Sequence, residues 1–164
     1  MIKKNYVAPT KVVLDTSLTP FCRVLFVEIL QLQRTYGRCY ATDFLLVSIT
    51  QRAKTAVHRG VKTLVERGYL ERRGNNHDRA LFASKHALQQ DPSLDLPPLV
   101  RFRENILRDQ SLTSTEKIIV TIVSELLKLD GHGAKHLELA GKLFGLEETT
   151  ASRLISSLRK RGFL

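Results

Sequence analysis

The stretch Leu64-Val65-Glu66-Arg67-Gly68-Tyr69-Leu70 returns 94 residues later as Leu158-Arg159-Lys160-Arg161-Gly162-Phe163-Leu164. Working outward from it, residues 14 to 70 lie over residues 108 to 164 at that one offset, without a gap and with 13 identities among 57 pairs. Asp15, Ser17, Leu18 and Thr19 match Asp109, Ser111, Leu112 and Thr113 at the front, and Val24/Ile118, Val61/Ile155 and Tyr69/Phe163 exchange one apolar side chain for another. A fixed offset with preserved apolar positions is the mark of a duplicated structural unit.

Each copy carries the periodicity of a small helical unit. In the first, Thr19-Pro20 is an N-cap followed by a first-turn proline, where the missing amide hydrogen is not needed. Phe21, Val24, Leu25, Ile29 and Leu32 then return every three or four residues, which predicts a helix from about Pro20 to Thr35, ended by Gly37. Cys39-Tyr40-Ala41 is extended in flavour, and Thr42 caps a second helix through about Ile49, with Leu45, Leu46 and Ile49 inward. A third helix is expected over Gln51 to Glu66, its apolar side Ala53, Val57, Gly60, Val61 and Leu64. Residues 69 to 73, 74 to 78 and 79 to 82 read as strand, turn and returning strand.

In the second copy Thr113-Ser114-Thr115-Glu116 is a capping box. His136 to Phe144, Gly145 and Glu147 to Arg161 supply a second helix, tight turn and third helix. The sequence stops at Leu164, the match of Leu70, so this copy reads either as lacking the hairpin or as part of a longer protein.

These patterns divide the chain into an arm (1–13), a first module (14–82), a linker (83–102) holding Pro92, Pro97 and Pro98, and a second module (103–164). Formal charge is +10, and it is uneven. Residues 1 to 82 hold 14 Lys/Arg against 6 Asp/Glu, residues 83 to 164 hold 12 against 10, so the first module is the stronger polyanion binder. No apolar run approaches the length of a membrane span or secretory signal, which predicts a protein of the cytoplasm, associated with the nucleoid if it binds DNA. Cys22 and Cys39 form no Cys-x-x-Cys pair and suit a reduced compartment, Cys22 as a buried small hydrophobe.

The outer side of the first module's third helix carries Arg52, Lys54, Thr55, His58, Arg59 and Lys62. Such a helix, held by its inner side, can enter a DNA major groove about 12 Å wide, and an arginine can grip both acceptors of a guanine, which makes Arg59 the candidate base reader. Arg72, Arg73, His77 and Arg79 bracket the hairpin tip, within reach of phosphates. The aligned positions in the second module are Thr149, Ser152, Arg153 and Ser156, behind Glu147 and Glu148, acids that suit a helix start but repel phosphate. That helix is open to weak base reading or to contact with a protein or another copy of the chain.

Leu18 to Leu70, with its closing Leu-x-x-x-Gly-Tyr-Leu, resembles the winged helix-turn-helix modules at the front of phage and plasmid replication proteins, a shape shared with transcription repressors. The resemblance implies a mainly α fold with a short β-hairpin wing, as two winged-helix modules in tandem. It further implies double-stranded DNA as partner, a role in replication initiation or its control on a mobile element, and transcription regulation as the alternative. The turn glycine of that family is present as Gly145, whereas Gln51 stands at the matching place and leaves the start of the first recognition helix open by about a turn.

Enzyme chemistry finds no phosphate-binding glycine loop, no nucleophile turn and no paired carboxylates, so neither catalysis nor a cofactor is expected. His132 and His136, four apart beside Gly131 and Gly133, lack companion metal ligands. The competing class is a tandem interaction module in which both third helices meet proteins.

Overall fold

A computed structural model describes residues 5–39, 43–74, 80–89, 97–130 and 144–164. They form two compact units, Tyr6–Leu99 and a second that includes Val100–Leu164. The described residues are mainly helical, with small two-stranded pairings, antiparallel in the hairpin.

The first unit opens with strand β1 (Asn5–Pro9) and helix α1 (Thr10–Leu14). Val12 and Val13 are fully buried, and the Thr10 amide donates to Pro98 O at 3.0 Å. Residues 6 to 13 are therefore part of the folded unit rather than an arm. Their Tyr-x-Ala and Val-Val-Leu spacing is too short to register as a period, but it suffices for one turn pressed onto a core. Helix α2 (Pro20–Tyr36) starts at Thr19, whose Oγ1 accepts from the Cys22 amide at 3.2 Å, and stops at left-handed Gly37. Its residues from Cys22 to Leu30 are buried without a break, and it forms the spine against which the rest packs.

Helix α3 (Asp43–Thr50) buries only Leu46 fully; Leu45, expected inward, is 41% exposed. Helix α4 (Lys54–Glu66) begins three residues later than its apolar spacing predicts. The reason is Gln51, which adopts φ 54°, the left-handed region, and so breaks the helix; Gly145 does the same at φ 61° in the second unit. Ala53, expected on the buried side, is instead the exposed N-cap. Val57, Gly60, Val61 and Leu64 do face the core. At Gly60 the side chains of α2 press against the α4 backbone, since a Cβ there would sit 2.8 Å from Leu25 Cδ2.

Strands β2 (Leu70–Arg73) and β3 (Ala80–Ala83) pair antiparallel, Leu70 opposite Ala83 and Arg73 opposite Ala80. Cys39 adds an isolated bridge to Leu81. The expected linker is partly core. Ala83 and Ser84 are buried, helix α5 (Lys85–Leu88) is capped by Ser84 Oγ, and Ala87 is fully buried; alternating Ala, Ser and His carried no apolar stripe to betray it. Val100 and Phe102, also within the expected linker, are buried on strand β4 (Leu99–Arg103).

The second unit continues with α6 (Glu104–Arg108), α7 (Ser114–Asp130) and α8 (Glu148–Lys160). Its core gathers Ile106, Leu112, Ile119, Val120, Val123, Ile155 and Leu158. The expected second helix before Phe144, with His132 and His136, lies outside the described residues, as do Thr42 and the tip residues His77 and Arg79.

The 94-residue offset reproduces every matched element end for end: β1 with β4, α1 with α6, α2 with α7, α4 with α8. It also reproduces individual bonds. Arg23 donates Nη1 to Val13 O at 3.4 Å, and Lys117 donates Nζ to Leu107 O at 2.5 Å. Asp15 and Asp109 each accept the amide two residues on, at 2.8 Å, and Tyr69 and Phe163 each donate their amide to the leucine five residues back. The structural match thus extends back at least to residue 5, nine residues before the sequence match starts.

Candidate nucleic-acid interface

Helix α4 is presented by its buried side. Val57, Gly60, Val61 and Leu64 press on α2, so Lys54, Thr55, His58, Arg59 and Lys62 must point away, and all five are exposed. Together with Asp43 at the start of α3 they line a shallow concavity of about 490 Å³. Three of its lining residues are permanently cationic and Asp43 is the one acid; its Oδ2 lies 3.7 Å from His58 Nδ1. Lys62 Nζ lies 3.7 Å from Glu66 one turn on, both well exposed, a pair that water and salt screen. Arg52 is also exposed, just before the helix, with its guanidinium 5.9 Å from the Phe21 ring centre.

On the hairpin, Arg72 and Arg73 are exposed. Arg73 is tied within its own hairpin, donating Nη2 to Glu71 Oε2 at 2.7 Å and lying 4.8 Å over the Phe82 ring. A phosphate would have to displace Glu71 to claim it.

Within the first unit, Asp15, Arg23 and Tyr69 tie α1, α2 and the end of α4 together. Burial alone would raise the Asp15 carboxyl, but hydrogen bonds from the Tyr69 hydroxyl and from Ser17 bring it below the usual range. Burial and that same bond push the Tyr69 phenol up to about 12. Burial lowers Arg23, which nevertheless donates Nε to Leu18 O at 3.0 Å.

In the second unit Thr149, Ser152, Arg153 and Ser156 share the exposed side of α8. Glu147 is the N-cap and Glu148 stands in the first turn, both exposed, where Ala53 and Lys54 stand on α4. Near its C-terminal end, Arg161 donates Nη1 to Glu116 Oε1 at 2.6 Å and Nη2 to Ser111 O at 2.8 Å, bracing α8 on the start of α7. Burial would raise Glu116, yet the bonds from Thr113 and Arg161 hold it below its ordinary value.

Sequence reasoning missed Asp43 and the exposed Phe44 beside it. Asp43 was concealed because an acid after a capping residue reads as helix-start chemistry, and Phe44 because an aromatic at a helix start reads as core. Among the described residues no three His, Cys, Asp or Glu side chains gather to hold a metal, and no helix is long and apolar enough to cross a membrane. Comparison with family models, curated proteins and solved structures finds no match for this chain.

Proposed function

We propose that the chain is a non-catalytic double-stranded DNA-binding protein, two winged helix-turn-helix modules in tandem, with α4 of the first unit as the principal recognition helix. The observation that carries this reading is the division of α4. One side is locked into the core, while Lys54, Thr55, His58, Arg59 and Lys62 stand exposed along the other, with Arg52 beside its start. A rigid helix offering cations and hydroxyl donors on its free side suits the phosphate-lined major groove, and Arg59 suits a guanine edge. Arg72 and Arg73 at the hairpin add a phosphate contact, joined in the proposal by His77 and Arg79. The setting is replication initiation or its control on a mobile element, with transcription regulation as the alternative.

Glu147 and Glu148 favour a second reading for the other unit. Exposed acids at the start of α8 oppose a phosphate backbone, which favours a role for Thr149, Ser152, Arg153 and Ser156 in meeting a protein or a second copy of the chain.

Titrating the whole chain against random-sequence duplexes at several salt concentrations tests the class. A duplex binder releases counterions, so log affinity should fall with log salt by about 0.9 per phosphate contacted. An affinity indifferent to salt, or no binding, would transfer the chain to the protein-interaction class. Arg73→Ala should weaken every duplex alike, because a phosphate contact carries no sequence information.

A further inference from the structure

Among the described residues Phe44 is the most exposed large apolar side chain, with 81% of its surface open, and Leu45 beside it is 41% exposed. Together they form a small apolar patch whose burial by a partner is favourable. It stands one residue after Asp43, whose carboxylate lines the same concavity as Lys54, Arg59 and Lys62. The repeat gives an internal control, because the residue 94 positions on is Glu138. In the aligned sequences Phe44 and Lys54 of the first copy are thus matched by Glu138 and Glu148.

We infer that Phe44 is an apolar contact of the duplex, covered by DNA when α4 binds. The proposal rests on the DNA-binding reading above. The cations of α4 argue against an apolar protein partner, since docking one over the concavity beside Asp43 would desolvate Lys54, Arg59 and Lys62, whereas a duplex brings phosphates to them. DNA offers an aromatic ring two kinds of apolar surface at the edge of the major groove, the thymine 5-methyl group and the deoxyribose carbons. This contact supplies affinity that does not depend on counterion release, alongside the salt-dependent share carried by Lys62, Arg72 and Arg73.

The test titrates the whole chain, Phe44→Ala, Phe44→Leu and Arg59→Ala against one pool of AT-rich duplexes over a range of salt, and repeats it with uracil in place of thymine. Phe44→Ala should weaken binding by about fivefold to tenfold at every salt concentration without changing the salt slope, and Phe44→Leu should restore most of that loss. Arg59→Ala should weaken binding and blunt discrimination among the duplexes instead. If the ring lies on thymine methyls, uracil weakens the parent and leaves Phe44→Ala unchanged; if it lies on deoxyribose, uracil alters neither, and both results support the contact. Parental affinity in Phe44→Ala while Arg59→Ala is weakened would overturn the inference and spare the DNA reading. So would a slope flattened by Phe44→Ala, or a dimer of the parent that this variant dissociates at unchanged duplex affinity. A parent that binds no duplex would overturn the underlying reading first.

Discussion

Helices α4 and α8 occupy the same place in two copies of one unit, with matching ends and matching bonds, yet charge is placed differently on their outward sides, Lys54 opening α4 where Glu148 opens α8. Lys54, His58 and Lys62 on α4 stand where α8 has Glu148, Ser152 and Ser156, while Thr55/Thr149 and Arg59/Arg153 are kept. The buried sides remain apolar at Val57/Ala151, Val61/Ile155 and Leu64/Leu158. A core tolerates only side chains that fill it, so the frame is conserved between the copies; a solvated side is free to change, so partner choice is written there.

Three positions inside the frame break that symmetry, and each can be exchanged to sharpen the comparison. All four tyrosines lie at or before Tyr69 and there is no tryptophan, so tyrosine emission during denaturation follows the first unit alone. The largest effect is expected at Gly60, where the second unit has Leu154. With Leu25 Cδ2 only 2.8 Å from a Cβ, Gly60→Ala should destabilise the first unit by about 1–3 kcal/mol. An unchanged denaturation midpoint would mean that α2 and α4 are free to separate, and the two frames would then be less rigidly alike than their bonds suggest.

Tyr69→Phe installs the residue found at Phe163. Loss of the bond to Asp15 should remove about 1 kcal/mol near neutral pH. The pH dependence gives a second readout. A phenol raised from 10.0 to about 12 contributes stability that is complete below pH 10 and disappears as pH climbs through 12. Asp15, lowered from 3.8, contributes stability present above that value and lost as pH falls through its folded-state value. In Tyr69→Phe the alkaline loss assigned to this phenol should vanish and the acid loss should shrink. Parental behaviour at both ends would refute the Asp15–Tyr69 link.

The smallest effect is a gain. Gln51→Gly copies Gly145 at a left-handed position, and should stabilise the first unit by about 0.5–1 kcal/mol as strain is relieved. Destabilisation would show that the Gln51 amide bond to Ser48 O, at 2.7 Å, outweighs that strain.

Much of the frame was legible in the sequence. Thr19-Pro20, Gly37, the inner side of α4 from Val57 to Leu64 and the Leu70–Arg73 strand carry chemistry with local signatures, namely caps, a left-handed glycine and helical spacing. The exposed candidates on α4 and α8 followed from the same spacing, since knowing the buried side fixes the other. What escaped was decided by tertiary contact. Residues 10 to 13 and 83 to 88 are too short and too weakly patterned to announce a buried turn, and Leu45 is apolar without being covered. Gln51 looked like the first residue of a helix because glutamine seldom takes the left-handed conformation that ends one. The identical pair Arg67/Arg161 conceals a difference of another kind: Arg161 binds Glu116, but the counterpart of Glu116 is Cys22, so that bond cannot be repeated in the first unit.

The central claim is that the side of α4 bearing Arg59 lies against double-stranded DNA, and the duplication supplies its control. The most direct measurement compares duplex affinity of the whole chain after Arg59→Ala and after Arg153→Ala, one identical residue at one identical position on each helix. The account predicts a loss of about 1–3 kcal/mol with blunted sequence discrimination for Arg59→Ala, and little change for Arg153→Ala. Parental affinity in Arg59→Ala on every duplex, or a larger loss in Arg153→Ala, would contradict it.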